Sequence, residues 1–233
     1  METKIFYSKQ QLARFFGDYL STLTQENEQI NIALSGGSTP ETIFDVLSQE
    51  YSNSVDWEKI RFFWGDERCV PPDDAESNYN MTHQHLFSLL PVPETNIFRI
   101  KGGLAPEEAL RDYREVIDKE LPKKEGLPFF DIVLLGMGDD GHTASVFPHE
   151  IELWDSSELC ELGTHPISGQ KRVTLTGKVI NNAREVIFLV TGKNKAEKVD
   201  EILNEKDDYM KYPAAHVNRD KSLWLLDQEA VGS

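Results

Sequence analysis

The chain has 233 residues, 39% of them hydrophobic and 27% charged, and a formal net charge of −16. A chain of this size buries roughly 70–75% of its unfolded surface without disulfide or metal staples, so a single domain spanning 1–233 is expected. The acidic balance argues against nucleic acid or an anionic membrane as partner, since either needs a positive surface. The two cysteines, Cys69 and Cys160, lie far apart without CxxC spacing, which predicts a reduced, cytoplasmic setting. The first residues lack the apolar core of a signal peptide, and no run of about 18 apolar residues occurs.

In chain order, residues 8–24 repeat Leu12, Phe15, Phe16, Tyr19, Leu20 and Leu23 at helical spacing, an amphipathic stripe. Short apolar runs follow at Ile30–Leu34, Ile60–Trp64, Ile132–Leu135, 173–175, 186–190 and 223–226. Such runs suit the two-sided, buried strands of a mostly parallel sheet. Helix-period segments at 39–47, 77–90, 106–121 and 193–203 alternate with them. The alternation predicts an α/β fold, three-layer and doubly wound, with helices on both faces. The acidic stretch 147–170 has little periodicity and reads as an irregular excursion or a lid.

Open α/β sheets bind ligands outside the carboxyl ends of their strands, so the strand ends are where chemistry is sought. After INIAL comes SGGSTP, in which Gly36, Gly37, Ser38 and Thr39 offer unobstructed amides at a helix start. Thr39 is placed to N-cap that helix and Pro40 to occupy its first position. Free amides there make an anion cradle, although a plain strand-to-helix turn reads the same, and the G-K-[ST] of a nucleotide loop is missing. After IRFFW comes Gly65-Asp66-Glu67-Arg68. A solvated loop is the bland reading, but its position makes Asp66 and Arg68 candidates, Arg68 for its fork that suits phosphate or carboxylate.

The third strand end, GMGDDG at 136–141, matches G-x-G-x-x-G. Two aspartates facing a pyrophosphate would repel it, and Pro148 cuts short any helix to follow, so a dinucleotide role is set aside. Pairing His142 with Asp140 reads better. A carboxylate fixes the tautomer of an imidazole and stabilises its charged form, which is how a general base is built; the alternative is a structural histidine. At the fourth end, Arg172 opens RVTLT, and Lys193 or Lys195 in GKNKA sits at a helix start. Lysines at helix starts are commonly just exposed, but a cation there opposes the helix dipole, which is a reason to look for a bound anion. No G-x-S-x-G elbow or HExxH occurs. His83 and His85 fall about 200° apart on a helix, and His142 and His149 lack ligand spacing, so no metal site is expected.

Together, SGGSTP, FFWGDERCVPPDDAESNY, DIVLLGMGDDGHTASVFP, RVTLTG and VTGKNKA resemble the 6-phosphogluconolactonase family in order and spacing, from about residue 30 to 217. The wider superfamily includes glucosamine-6-phosphate deaminases, whose catalytic glutamate follows the histidine by five residues. Phe147 stands there in this chain, although Asp66 matches an aspartate of the deaminases. The resemblance implies hydrolysis of 6-phosphoglucono-δ-lactone to 6-phosphogluconate, in the oxidative pentose phosphate route. In that scheme His142 takes a proton from the attacking water and Asp140 orients it, with Asp66 a third catalytic candidate. Arg68, Arg172 and Lys195 bind the phosphate or sugar acid, and Gly36, Gly37, Ser38 and Thr39 line the pocket. Family spacing favours Lys195 over Lys193. No metal or organic cofactor is implied; the ligand is a small sugar phosphate, and the chain is expected to act as a monomer or weak homodimer. The alternatives are a deaminase or isomerase, against which Phe147 speaks, and a non-catalytic sugar-phosphate sensor, for which no DNA-binding helix-turn-helix is present.

Overall fold

A computed structural model describes residues 1–232. In chain order the strands and helices are β1 (Glu2–Phe6), α1 (Lys9–Glu26), β2 (Ile30–Leu34), α2 (Ser38–Glu50), β3 (Ile60–Trp64), β4 (Asp66–Arg68) and α3 (Asn78–Thr82). There follow α4 (Pro106–Glu120), β5 (Lys123–Lys124), β6 (Leu127–Pro128), β7 (Ile132–Leu135), β8 (Cys160–Thr164) and β9 (Lys171–Leu175). The chain continues through α5 (Gly177–Asn182), β10 (Glu185–Val190), α6 (Ala196–Leu203) and β11 (Ser222–Asp227).

Six strands form one parallel sheet in the order β1-β11-β10-β7-β2-β3. β2, β7 and β11 are buried along their whole length, as their largely apolar runs require of strands covered on both faces. Helices α1 and α2 pack on each other, and α1 lies against β1 and β11. At the outer strand β3, the Tyr113 hydroxyl from α4 accepts from the Trp64 amide at 2.9 Å and donates to the Trp64 carbonyl at 2.7 Å. That contact satisfies backbone groups that an edge strand leaves open. The α/β class with a mostly parallel sheet agrees with the sequence pattern.

Four local expectations are corrected. The run 173–175 does not join the parallel sheet; it belongs to β9 in a separate antiparallel sheet of order β4-β9-β8. Its apolar pattern is that of any buried strand, and the turn into β8 decides its partner. The stretch 147–170 holds a 3₁₀ segment, Pro148–Asp155, and then β8, hairpinned onto β9. Only Cys160 and Gly163 of β8 are buried, hence the missing periodicity. The helix expected over 77–90 is α for one turn and then widens, with the Ser88 amide donating five residues back to His83. That widening sets Phe87 against Phe62 and Trp64, with ring centroids 5.1 and 6.0 Å apart. Finally, β1 is an additional edge strand, mostly exposed and therefore without an apolar signature. Among the described residues, no helix is long and apolar enough to cross a membrane.

Glu67 joins the small sheet to the segment beyond it. Only 2% exposed, it accepts from the backbone amides of Arg68, Asn78 and Tyr79 and from the Ser77 hydroxyl. Burial pushes its carboxyl up, against four donors that pull it down. Glu67→Ala leaves those donors unpaired and is expected to cost about 2–4 kcal/mol in urea denaturation. Glu67→Gln, keeping an acceptor oxygen, is expected to cost less than the alanine variant.

Candidate active site

At the end of β2 the chain turns through Ser35, Gly36 and Gly37 into α2. A side chain at Gly36 would put its Cβ 1.8 Å from Asn78 Oδ1, so only glycine lets the loop lie against that residue. Gly37, at φ +101°, occupies the cap position of α2. The expected cap by Thr39 is not made. The helix begins at Ser38, two residues before Pro40, and the Thr39 hydroxyl instead meets the Thr191 hydroxyl at 2.7 Å. Thr39 thereby ties α2 to the loop after β10, which places it in a pocket wall.

The loop after β7 builds the acid–base pair. Asp140 Oδ1 lies 2.6 Å from His142 Nδ1 and accepts from the His142 amide at 3.1 Å. The Gly138 amide donates to the His142 carbonyl at 2.9 Å, closing the turn. A Cβ at Gly138 would come within 2.1 Å of His142 Nδ1 and 2.7 Å of Asp140 Oδ1. Burial alone would raise the Asp140 carboxyl; the hydrogen bond and charge of His142 overcome it and bring it down to about 2. Asp140 is therefore ionised at neutral pH and can only accept, so Nδ1 carries the proton and Nε2 is left as the basic nitrogen. Beneath the imidazole lies the fully buried ring of Phe147, centroids 4.7 Å apart, with the Arg172 guanidinium 5.6 Å from that ring. Ala144, between them in sequence, holds φ +47°, a left-handed conformation uncommon for a residue with a Cβ.

The cations come from the small sheet. Arg68 of β4 and Arg172 of β9 are direct cross-strand partners. Burial first, and then the positive charge of Arg68, lower the pKa of Arg172. Neither forms an ion pair among the described residues. Arg68 donates from Nη1 to the Glu76 carbonyl, and Arg172 from Nε to Gln170 Oε1 at 3.3 Å. Asp66 is buried and accepts from the Ser145 hydroxyl at 2.6 Å, locking β4 to the loop that follows His142.

These groups line two adjoining chambers. The first, about 180 Å³, brings together Asp66, Arg68, Arg172 and His142 with Gly36, Gly37 and Gly138. The second, about 320 Å³, is lined by Ser38, Thr39, Thr191, Lys195 and Lys9. Gly36, Gly37, Gly136 and Met137 line both. The residues singled out from the sequence thus reach one chamber or the other except Asp140, which contacts His142, and Lys193. Of the two lysines of GKNKA, Lys195 lines the second chamber and Lys193 lines neither. Lys195 forms an ion pair with Asp139, whose carboxyl is lowered first by that ammonium. The two loop aspartates therefore diverge, one to the imidazole and one to the lysine.

Sequence reasoning missed Asn78, Met137, Ser145 and Thr191. Asn78 donates from Nδ2 to the Asp66 carbonyl at 2.9 Å and abuts Gly36, so it braces two of the loops. Its only sequence signal was the SNY that ends the GDER segment. Among the described residues, no three His, Cys, Asp or Glu side chains gather as a metal site.

Residues 8–225 match the family model described as glucosamine-6-phosphate isomerases/6-phosphogluconolactonase. The chain belongs to this family. It is 49% identical to a 6-phosphogluconolactonase of Treponema pallidum over 84% of this chain and 82% of that one. A 6-phosphogluconolactonase of Haemophilus influenzae is 39% identical, with 89% of each covered. Among solved structures, one called devB protein superposes with a TM-score of 0.94 at 38% identity, over 99% of this chain and 98% of that one. A monomeric glucosamine-6-phosphate deaminase shares the fold, at a TM-score of 0.83 and 19% identity over 100% and 99% of the two chains.

Two outcomes test this geometry. Gly138→Ala, which leaves every functional group in place, should displace the imidazole and cut kcat by about 10²-fold or more with little change in melting temperature. The ionised Asp140 stabilises the fold where its folded pKa lies below its ordinary value. That contribution is complete above about pH 4 and lost as the pH falls through about 2. The difference in melting temperature between wild type and Asp140→Asn should therefore be present at about pH 4 and shrink as the pH falls from there towards 2.

Proposed function

We propose that the chain hydrolyses 6-phosphoglucono-δ-lactone to 6-phosphogluconate by general-base catalysis at His142, in the cytoplasm, as one catalytic domain acting as a monomer or weak homodimer. One observation carries the reading. The carboxylate-oriented imidazole shares a chamber with two unpaired guanidiniums, and a lysine-bearing chamber opens beside it across a common glycine floor. A sugar lactone phosphorylated at its far end needs that division, with chemistry at the ring carbonyl and charge neutralisation at the other end.

In this scheme His142 Nε2 takes a proton from water as the water oxygen bonds to the lactone carbonyl carbon. Asp140 stabilises the imidazolium that results. The tetrahedral intermediate collapses with cleavage of the bond between that carbon and the ring oxygen. His142 returns its proton to the departing oxygen, giving the free acid and a hydroxyl. The Gly138 amide is already committed to the His142 carbonyl, which leaves the Gly36 and Gly37 amides and the Arg68 fork as oxyanion donors. Asp66 acts as a positioning residue through Ser145. General-base assistance of roughly 10²–10⁴-fold with oxyanion donors of roughly 10²–10³-fold each suffices for a substrate that hydrolyses readily unaided. No covalent intermediate is needed.

The deaminase reading finds no support at the decisive position, since Phe147 is a fully buried ring under the imidazole and not a carboxylate. The test is a coupled assay on freshly made 6-phosphogluconolactone, with the spontaneous rate subtracted. His142→Gln should lose about 10²–10⁴-fold in kcat while binding 6-phosphogluconate within about threefold of wild type. Near-normal turnover by that variant removes His142 from the mechanism; release of ammonia from glucosamine 6-phosphate would restore the deaminase.

A further inference from the structure

We infer that Lys9, the first residue of α1, is a further phosphate ligand of the second chamber and sets the preference for a phosphorylated substrate. The inference rests on the lactonase reading for the identity of the ligand but on separate observations for the site.

Lys9 lines the second chamber with Lys195, Ser38, Thr39 and Thr191, and no residue lining that chamber is acidic. In a chain with 40 Asp and Glu against 24 Lys and Arg, an acid-free cavity carrying two ammonium groups runs against the average. Lys9 also has no carboxylate within ion-pair reach among the described residues. Lys195 is already paired with Asp139, so Lys9 supplies the chamber's uncompensated positive charge.

Its backbone is fixed. Ser8 caps α1 by accepting from the Gln11 amide at 3.3 Å, and Gln11 Oε1 accepts from the Tyr7 amide at 3.0 Å. The first turn of α1 contains no acid to offset the lysine, so its ammonium sits unrelieved at the positive end of an 18-residue helix. An incoming phosphate, dianionic above about pH 6, relieves both that cost and the missing counter-charge. The connection from β1 to α1 runs at the same rim of the sheet as the start of α2, which is how a residue so far away in sequence reaches the SGG loop. Only one group at the far end of the substrate is touched, so Lys9 acts on binding and not on the chemical step.

Lys9→Gln removes the charge while keeping a long stem at a half-buried helix start. With 6-phosphogluconolactone, KM should rise about five- to tenfold and kcat stay within about twofold, while glucono-δ-lactone without phosphate is handled as by wild type. Lys9→Arg should recover most of the loss, and the KM of wild type should climb more steeply with added salt than that of Lys9→Gln. The inference is overturned if KM on the phosphorylated lactone is unchanged, or if both lactones suffer equally. Calorimetric titration of 6-phosphogluconate separates this result from failure of the lactonase reading. Weaker binding to Lys9→Gln in a chain that turns over no lactone upholds the ligand and refutes the activity. Equal binding alongside good turnover does the reverse, and no binding to wild type refutes both.

Discussion

Six strands running in one direction put every strand's carboxyl end on one rim of the sheet. The functional site is a consequence of that single constraint. Parallel hydrogen bonding between β2 and β7, and between β7 and β10, sets the SGG loop, the GDDGH loop and the GKNK loop side by side. They are nonetheless separated in sequence, the first from the second by about a hundred residues and the second from the third by about fifty. A helix begins after β2 and another after β10, each presenting its amide end to the same space. The small antiparallel sheet then enters from the side. Its β4 continues β3 past Gly65, and its β9 aligns Arg172 with Arg68. The site is thus one rim with one added wall.

Close approach does the rest. At Gly36 and Gly138 the loops run so near Asn78 and His142 that a single methyl group would lie inside van der Waals contact. These glycines act less through backbone freedom than through the space they leave. Behind them the buried Asp66, Ser145 and Thr174 interlock, with the Ser145 amide donating to the Thr174 hydroxyl at 3.1 Å. Phe147 closes the floor under the imidazole and beside Arg172. A base held by a carboxylate on one side and an aromatic ring on another has few rotamers left, and such preorganisation is what general-base catalysis needs.

What the sequence made legible follows from the range of each signal. The buried strands are largely apolar runs, and the loops after them carry glycines, so β2, β7, β10 and the rim could be read locally. The pairing of Asp140 with His142 spans two residues and was equally local. Other features depend on contacts with distant chain. β1 is an edge strand held by β11 alone and mostly exposed, so it has no apolar pattern. β8 is recognisable only once β9 is known to be its partner. Thr39 has an ideal cap composition, yet the Thr191 hydroxyl on a neighbouring loop outcompeted the helix amides. Asn78, Ser145 and Lys9 bear common residue types in unremarkable contexts, and only the fold gathers them.

The net charge of −16 would by itself repel a sugar phosphate, and the site answers by local segregation. Most basic side chains elsewhere are spent on neighbouring carboxylates. Around the two chambers the balance shifts: Arg68 and Arg172 stand together with Asp66 in their chamber but in no ion pair with it, and Asp139 and Asp140 are each engaged by a basic partner, Lys195 and His142. With a Debye length of about 8 Å at physiological salt, the distant acids are screened while these few cations are not. Burial, and after it the charge of Arg68, lower the pKa of Arg172, a cost that an anionic ligand beside it would offset. The same logic divides the labour across the glycine floor. Charge that the substrate carries throughout belongs at the remote chamber, where it strengthens ground state and transition state alike. Charge that develops only as water attacks belongs beside His142, where each donor it meets lowers the barrier.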